Sequence, residues 1–182
     1  MPKVGPRGEG HLGRPPGGRL RSPSLAVNFA EKSLRSHRHT IFITYSHRDR
    51  RWVDRLLVHL KPLERGISTD IWEDSRIKPG ARWRSEIENA LNNACAAILV
   101  ISADFLASDF VMNDEVPVLL QAAETRGTLI MPLIIAPSLF GQSSLSCFQS
   151  VNSPASPLAK LSSHQRDQVL VRLATSIDAM TH

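Results

Sequence analysis

Hydrophobic and polar positions follow two alternating patterns along this chain from His39 onward. Short, largely apolar runs occur at four places: residues 40–46 (TIFITYS), 68–72 (STDIW), 96–102 (AAILVIS) and 128–135 (TLIMPLII). Such runs are typical of strands that are covered on both faces of a parallel sheet. The pattern therefore predicts four strands.

A segment with helical periodicity follows each of these runs. The predicted helices cover residues 49–63, 82–94, 115–125 and 163–180, and Gly127 is expected to close the third helix as its C-cap. The residues expected to face inward are Trp52, Leu56, Leu57 and Leu60 in the first helix, Trp83, Ile87, Ala90 and Leu91 in the second, and Val169, Leu170, Leu173 and Ile177 in the last.

Strand and helix thus alternate four times. Because crossovers between parallel strands are right-handed, this order predicts an α/β fold in which helices cover both faces of a parallel sheet. Ligands of such folds bind beyond the carboxyl ends of the strands. Functional side chains are therefore expected among the polar residues at those ends, which are Tyr45, Ser46, Glu73, Asp74 and Ser102.

The first part of the chain differs in composition. Residues 1–37 are rich in Gly, Pro and Arg and lack periodicity, which predicts a disordered tail ahead of a domain over residues 38–182. Residues 1–38 carry eight Lys or Arg and two Glu, whereas residues 39–182 carry fourteen basic and fifteen acidic residues. The net charge of +5 therefore arises in the tail, and it does not indicate a specific nucleic-acid partner.

Cysteine usage and the longest apolar run bear on the cellular compartment. Cys95 lies in an apolar strand and is expected to be a small buried thiol, and the two cysteines make no disulfide framework. The apolar run over residues 128–140 contains two prolines and is shorter than the ~20 residues of a membrane helix. No secretory signal is recognisable. These features predict a cytoplasmic protein that does not bind membranes.

Four stretches, in this order and spacing, carry a family resemblance. They are residues 41–64 (IFITYSHRDRRWVDRLLVHLKPLE), 72–91 (WEDSRIKPGARWRSEIENAL), 96–110 (AAILVISADFLASDF) and 113–120 (NDEVPVLL). Through them the chain from about residue 39 to its end resembles the Toll/interleukin-1 receptor (TIR) domains, and in particular their bacterial members. The resemblance implies a flavodoxin-like sheet. It also implies that residues 74–80 correspond to the family's BB loop, through which TIR domains contact one another.

An activity is implied by the same resemblance. Many bacterial TIR domains resemble enzymes that cleave NAD+, and their catalytic glutamate stands at the start of the third helix, where this chain has Glu115. NAD+ is then the substrate, and neither a cofactor nor a metal is implied. The family's aromatic residue four positions before that glutamate is Val111 here, with Phe110 beside it.

The chemistry of NAD+ cleavage is compatible with a single carboxylate. Nicotinamide leaves as a neutral molecule and needs no general acid, whereas the ribosyl centre becomes cation-like. One carboxylate can stabilise that centre and hold the ribose hydroxyls. The sequence shows no His and Cys spacing typical of a metal site, so a metal-free reaction is expected.

A purely structural role for Glu115 is an open alternative. Pro117 is tolerated only near a helix start, which predicts Asn113 or Asp114 as the cap and Glu115 in the first turn. An acidic residue in a first turn is favoured by the helix dipole by ~0.3–1 kcal/mol. On this hypothesis Glu115 stabilises the helix and takes no part in a reaction.

Further candidate contacts to NAD+ are Tyr45, Ser46, Arg48, Asp74, Arg76 and Trp83. Some of these residues have structural alternatives. Arg48 and Asp49 can belong to a solvated loop, and Asp74 and Arg76 can pair with each other. Trp83, at helical spacing from Ile87, can belong to the core.

Two functions follow from these observations. The first is an NAD+ hydrolase or cyclase that acts in signalling or defence through self-association. The second is a non-catalytic TIR module that recruits other TIR domains through residues 74–80. A receiver domain is disfavoured, because it needs an acidic cluster after the first strand and an aspartate after the third, where this chain has TYSHRD and Ser102. Glu115 favours the enzyme, since an interaction module has no need of it.

Overall fold

The computed structural model describes residues 39–65, 69–73 and 83–181, with the side chains of residues 83 and 84 outside the described part. The expectations for the tail over residues 1–37 therefore lie outside the described residues. So do those for the loop 74–80, with Asp74 and Arg76, and for the side chain of Trp83.

Four parallel strands form the sheet of the described part of the chain. They are β1 (His39–Thr44), β2 (Thr69–Trp72), β3 (Ala94–Ile101) and β4 (Leu129–Ile134). Their order across the sheet is β2-β1-β3-β4, so the central positions belong to β1 and β3. The predicted parallel sheet is confirmed, and each predicted strand overlaps an observed one.

Helices connect and cover these strands. They are α1 (Arg50–Arg65), α2 (Trp83–Asn92), the short α3 (Ala103–Leu106), α4 (Val116–Arg126) and α5 (Ser163–Thr181). Short 3-10 turns occur at His47–Asp49, Phe140–Gln142, Ser144–Cys147 and Leu158–Lys160. Gly127 ends α4 with a φ of 71°, and its N–H donates to the carbonyl of Ala122. The predicted C-cap is confirmed, because this left-handed conformation favours glycine.

Successive residues of β3 pack into two different cores, as the alternation of side chains along a strand requires. One core contains Ile98 and Val100 together with buried residues of α1 and α5. The other contains Leu99 and Ile101 together with buried residues of α2 and α4. The α/β architecture therefore has helices on both faces of the sheet, as predicted.

The inward faces agree with the sequence pattern in α5 and in part in α1. Val169, Leu170, Leu173 and Ile177 of α5 are all buried, as predicted. In α1 the buried residues are Val53, Leu56 and Leu60, whereas Trp52 and Leu57 are only partly buried. Both residues still pack against the core, as predicted, and they lie at the margins of an apolar stripe that also includes Val53.

The thiol of Cys95 is half-buried, so the expectation of a buried residue was wrong. Alternating residues of β3 enter the two cores, and Cys95 stands at the start of the strand, where cover from the helices is incomplete. Partial burial raises the pKa of the Cys95 thiol above its ordinary value.

Candidate active site

A cavity of about 530 Å³ opens beyond the carboxyl ends of β1 and β2. This is the edge of the sheet at which α/β folds bind ligands. Four residues that the sequence proposed for NAD+ line this cavity, and they are Tyr45, Ser46, Arg48 and Glu115. The structure therefore brings together side chains that lie as far as 70 positions apart in the chain.

Glu115 reaches the cavity from a wide helical turn and not from the first turn of a helix. Ser108 begins this helical segment, because its Oγ accepts a hydrogen bond from the backbone N–H of Val111 at 3.3 Å. Residues 111–115 then form a π turn, in which the N–H of Val116 donates to the carbonyl of Val111. The turn leads directly into α4.

The predicted cap at Asn113 or Asp114 is therefore wrong. Pro117 has no N–H, and its ring clashes with the carbonyl four residues earlier in a regular helix. A π turn immediately before the proline accommodates that ring without ending the helix, and helical periodicity in the sequence does not reveal such a turn. Glu115 consequently lies inside a helical segment, and the first-turn hypothesis no longer explains its position.

The carboxylate of Glu115 is buried at the end of β1. Its side chain is 5% exposed, and the Thr44 hydroxyl donates a hydrogen bond to Oε2. Thr44 is the last residue of β1, and it is buried as well. A carboxylate in such a place is costly unless hydrogen bonds compensate for lost water, so its location at a cavity wall calls for an explanation beyond packing.

Aromatic and apolar side chains form another wall of the cavity. Trp72, the last residue of β2, stacks on Phe42 of β1 with ring centres 5.0 Å apart and planes 14° apart. Phe110 is 36% exposed and lines the cavity beside Val111, which is buried. Phe110 therefore supplies an aromatic ring next to the position where the family's pattern has one and this chain has valine.

Tyr45 belongs to a buried network at the start of the loop after β2. Its hydroxyl donates to Glu73 Oε2 at 3.0 Å and accepts from Arg50 Nη1 at 2.8 Å, and Arg50 also contacts Glu73 at 2.9 Å. The hydrogen bond to Asp54, followed by the one to Tyr45, raises the pKa of Arg50 above its usual range. The network fixes Glu73, the residue directly before position 74, to the end of β1.

Arg48 and Asp49 are placed differently, although the sequence treated them as one loop. Arg48 is exposed at the cavity rim and pairs with Asp104 at 3.2 Å. Asp49 is 7% exposed and accepts a hydrogen bond from Ser102 Oγ at 2.5 Å. The solvated-loop alternative is therefore wrong for Asp49, because the end of β3 supplies a hydroxyl that satisfies its carboxylate.

Several lining residues were not among the sequence candidates, and they are Phe42, Ile43, Thr44, His47, Trp72, Ile87, Ser108, Phe110 and Val111. A signal existed for Thr44 and Trp72, because each is the last residue of its strand. No comparable signal marks Ile87, which lies inside a helix and reads as core.

No group of three or more His, Cys, Asp or Glu side chains in the described part of the chain is arranged to hold an ion. Among the described helices, none combines the length and apolarity needed to cross a membrane.

Two proteins with similarity to this chain are described by their names. An uncharacterized protein, y4lF of Sinorhizobium fredii (strain NBRC 101917 / NGR234), is 29% identical over 96 residues. That match covers 53% of this chain and only 30% of y4lF. A solved structure also aligns with this chain, with 18% identity and a TM-score of 0.46 over 75% of this chain and 84% of that one. Its title is "Structure of the activated Roq1 resistosome directly recognizing the pathogen effector XopQ (TIR domains)".

The family model of the TIR domain matches residues 41–162. This match includes β2, β3, β4 and all of β1 except its first two residues, together with the π turn that contains Glu115 and the whole lining of the cavity. It also covers more than half of the chain. The chain belongs to the TIR domain family.

Proposed function

We propose that this TIR domain cleaves the bond between nicotinamide and ribose in NAD+, as a hydrolase or cyclase, with Glu115 as the catalytic carboxylate. One observation carries the proposal. The buried Glu115 carboxylate, which accepts a hydrogen bond from Thr44, lines a cavity of about 530 Å³ at the carboxyl ends of the strands. Cavities of roughly 300–1,000 Å³ are typical of small-molecule sites.

Bond cleavage requires stabilisation of positive charge at the ribosyl C1′. The electron pair of the C1′–N bond leaves with the pyridinium, which thereby becomes neutral nicotinamide. A carboxylate fixed beside C1′ stabilises the cation-like carbon, and the low dielectric of a buried site strengthens that interaction. Water, or a second nucleophile within the substrate, then attacks C1′, and the proton it releases passes to solvent.

The remaining lining residues fit the parts of this substrate. The rings of Trp72 and Phe110 offer flat apolar surfaces for nicotinamide or adenine. Ser46 and Arg48 lie on the loop after β1, where a hydroxyl and a guanidinium suit the diphosphate. The Tyr45 hydroxyl is engaged with Glu73 and Arg50, so the ring of Tyr45 is the part we assign to the substrate.

We include self-association in this proposal, together with action in the cytoplasm in signalling or defence. The family resemblance assigns TIR–TIR contacts to residues 74–80, and the Arg50–Glu73–Tyr45 network fixes the residue where that loop begins. Activity per molecule should then rise with protein concentration, and Gly80→Arg should lower association and activity together. Activity per molecule that does not change with concentration, with Gly80→Arg fully active, would contradict this part.

A non-catalytic module that recruits other TIR domains is the second candidate function. It is favoured by membership of the family alone and leaves the buried carboxylate at the cavity unexplained. The discriminating experiment incubates purified protein with NAD+ at high protein concentration and measures free nicotinamide by chromatography. Release by the wild type that disappears in Glu115→Gln supports the enzyme. No release by the wild type supports the module.

A further inference from the structure

A second cavity, of about 450 Å³, lies between α1 and α5 and shares no lining residue with the first. Its lining contains three arginines and one aspartate, so it carries an excess of two positive charges. Trp52 stands among the arginines, and the buried Leu170 provides apolar surface. The volume is in the range of small-molecule sites.

The single aspartate of this cavity is already paired. Arg55 makes two hydrogen bonds to Asp167, with Nη2 to Oδ2 at 2.7 Å and Nε to Oδ1 at 3.1 Å. His59 lies 3.2 Å from the same carboxylate, and the Arg55 hydrogen bond is the main cause of a lowered pKa of Asp167. Asp167 therefore balances Arg55, and the cavity lining offers no second carboxylate to the other two guanidiniums.

Those two guanidiniums belong to Arg51 and Arg166. Neither forms an ion pair within the described part of the chain, although the charge of Arg51 also attracts Asp49 at longer range. Both are held against one indole. The Cζ atoms of Arg51 and Arg166 lie 5.6 Å and 5.3 Å from the centre of the Trp52 ring. Arg166 is fixed further by a hydrogen bond from Nε to the carbonyl of Leu158 at 2.8 Å.

Two like charges held at one aromatic ring repel each other, and a cation–π contact at a partly exposed site offsets only part of that cost. An anion between the guanidiniums removes the repulsion and accepts hydrogen bonds from the fork of Arg51 and from Nη1 of Arg166, whose Nε and Nη2 donate to the carbonyls of Leu158 and Ala159. The stacking also limits the motion of the arginines beforehand, which lowers the entropy lost when a ligand binds.

We propose that the cavity between α1 and α5 is a binding site for the diphosphate group of a small molecule, held by Arg51 and Arg166. Two guanidiniums without an ion-pair partner in this cavity match a group with at least two negative charges, and their N–H groups match phosphate oxygens. This site is separate from the cavity of Glu115 and does not depend on NAD+ cleavage.

The test is calorimetric titration of the full-length protein with inorganic pyrophosphate at low ionic strength, with adenosine as the phosphate-free probe. We expect pyrophosphate binding that depends on Arg51 and Arg166 and has an affinity that falls as salt is added, and we expect adenosine not to compete for this site. Arg51→Ala should weaken pyrophosphate binding about tenfold or more, as the loss of a charged hydrogen bond does. Arg51→Lys keeps the positive charge but loses the forked donors, so its affinity for pyrophosphate should lie between those of the wild type and Arg51→Ala.

Arg126→Ala serves as the control, because it removes one exposed positive charge on α4 and lines neither cavity. It should bind pyrophosphate like the wild type. The proposal is overturned if the wild type binds no pyrophosphate at millimolar concentration or if a correctly folded Arg51→Ala binds with unchanged affinity. It is also overturned if Arg126→Ala weakens binding as much as Arg51→Ala.

Discussion

Two buried carboxylates in this domain have nearly the same immediate chemistry. Glu115 is 5% exposed and Asp49 is 7% exposed. Each accepts a hydrogen bond from a hydroxyl at the carboxyl end of a central strand, Glu115 from Thr44 and Asp49 from Ser102. Their surroundings differ, because Glu115 lines the cavity at the strand ends whereas Asp49 is not among its lining residues.

The Asp49 contact joins two loops. Asp49 lies in the turn between β1 and α1, and Ser102 follows β3. The Ser102 hydroxyl donates to Asp49 and also accepts from the backbone N–H of Phe105, so it caps α3 at the same time. Burial and a hydroxyl partner therefore do not identify a catalytic carboxylate. What separates Glu115 from Asp49 is access to a cavity that can hold a substrate.

The largest effect is expected from removing the charge of Glu115. Glu115→Gln keeps the shape of the side chain and its hydrogen-bonding capacity but cannot stabilise a developing cation. We expect nicotinamide release from NAD+ to fall by ~10²-fold or more, as comparable electrostatic deletions do, with little change in Tm. Release is measured by chromatography and Tm by circular dichroism.

Asp114→Asn is the matched control for that variant. Asp114 is the neighbouring residue in the same π turn and is not among the residues that line the cavity. It should retain most of the activity. If Glu115→Gln and Asp114→Asn both release nicotinamide at the wild-type rate, Glu115 and Asp49 are two structural carboxylates and the distinction between them disappears.

Asp49 should show the opposite behaviour, with an effect on stability and not on the reaction. Asp49→Ala removes the acceptor of the Ser102 hydroxyl, and we expect the free energy of unfolding to fall by about 1–3 kcal/mol, the usual cost of an unsatisfied buried group. The rate of nicotinamide release should stay within a factor of about two of the wild type once folded protein is compared, since Asp49 does not line the cavity of the proposed reaction. Urea titration and the nicotinamide assay check the two statements.

The pH dependence of Asp49 sharpens the same contrast. Burial, opposed in part by the Ser102 hydrogen bond, raises the pKa of Asp49 above its ordinary value of 3.8. Its contribution to stability is therefore complete below pH 3.8 and is lost as pH rises through the folded-state pKa. Asp49→Asn keeps an acceptor for the Ser102 hydroxyl but does not ionise. Its free energy of unfolding relative to the wild type should therefore increase as pH rises from 3.8 through the folded-state pKa of Asp49. If the difference in the free energy of unfolding between Asp49→Asn and the wild type stayed constant from roughly pH 3 to pH 7, this prediction would be contradicted.

Thr44 is expected to have a smaller effect on the reaction. Thr44→Val removes the hydroxyl that donates to Glu115 and leaves a side chain of similar shape. We expect kcat for NAD+ cleavage to fall roughly tenfold, the cost of one charged hydrogen bond, with KM nearly unchanged. Thr44→Ser restores the hydroxyl and should restore kcat. If Thr44→Val and Thr44→Ser lowered kcat equally, the hydroxyl would not matter and Thr44 would act through packing alone.

A third carboxylate, Asp167, provides the smallest expected effect. It is partly exposed and pairs with Arg55 and His59, and the Arg55 hydrogen bond is the main cause of its lowered pKa. Its contribution to stability is present above its ordinary pKa of 3.8 and is lost as pH falls through the folded-state value. Asp167→Asn should therefore lower Tm slightly at pH 7 and leave it unchanged in strong acid. Solvent screening keeps the change small.

Much of the fold was accessible from the sequence because it is encoded within short segments. Apolar runs and helical periodicity are local properties, so all four strands and the inward face of α5 were predicted. The C-cap at Gly127 was also predicted, since a left-handed residue at a helix end selects glycine. The family resemblance, and not periodicity, singled out Glu115 as a candidate.

Only the tertiary structure decided which candidates meet. Thr44 and Glu115 are 71 positions apart, and Asp49 and Ser102 are 53 apart. Their hydrogen bonds exist because β1 and β3 are neighbours in the sheet, which no local pattern specifies. The π turn before Pro117 likewise depends on a helix that starts at Ser108 and must pass the proline. Sequence periodicity determines which residues face the core, whereas the order of the strands determines which carboxylate faces a cavity.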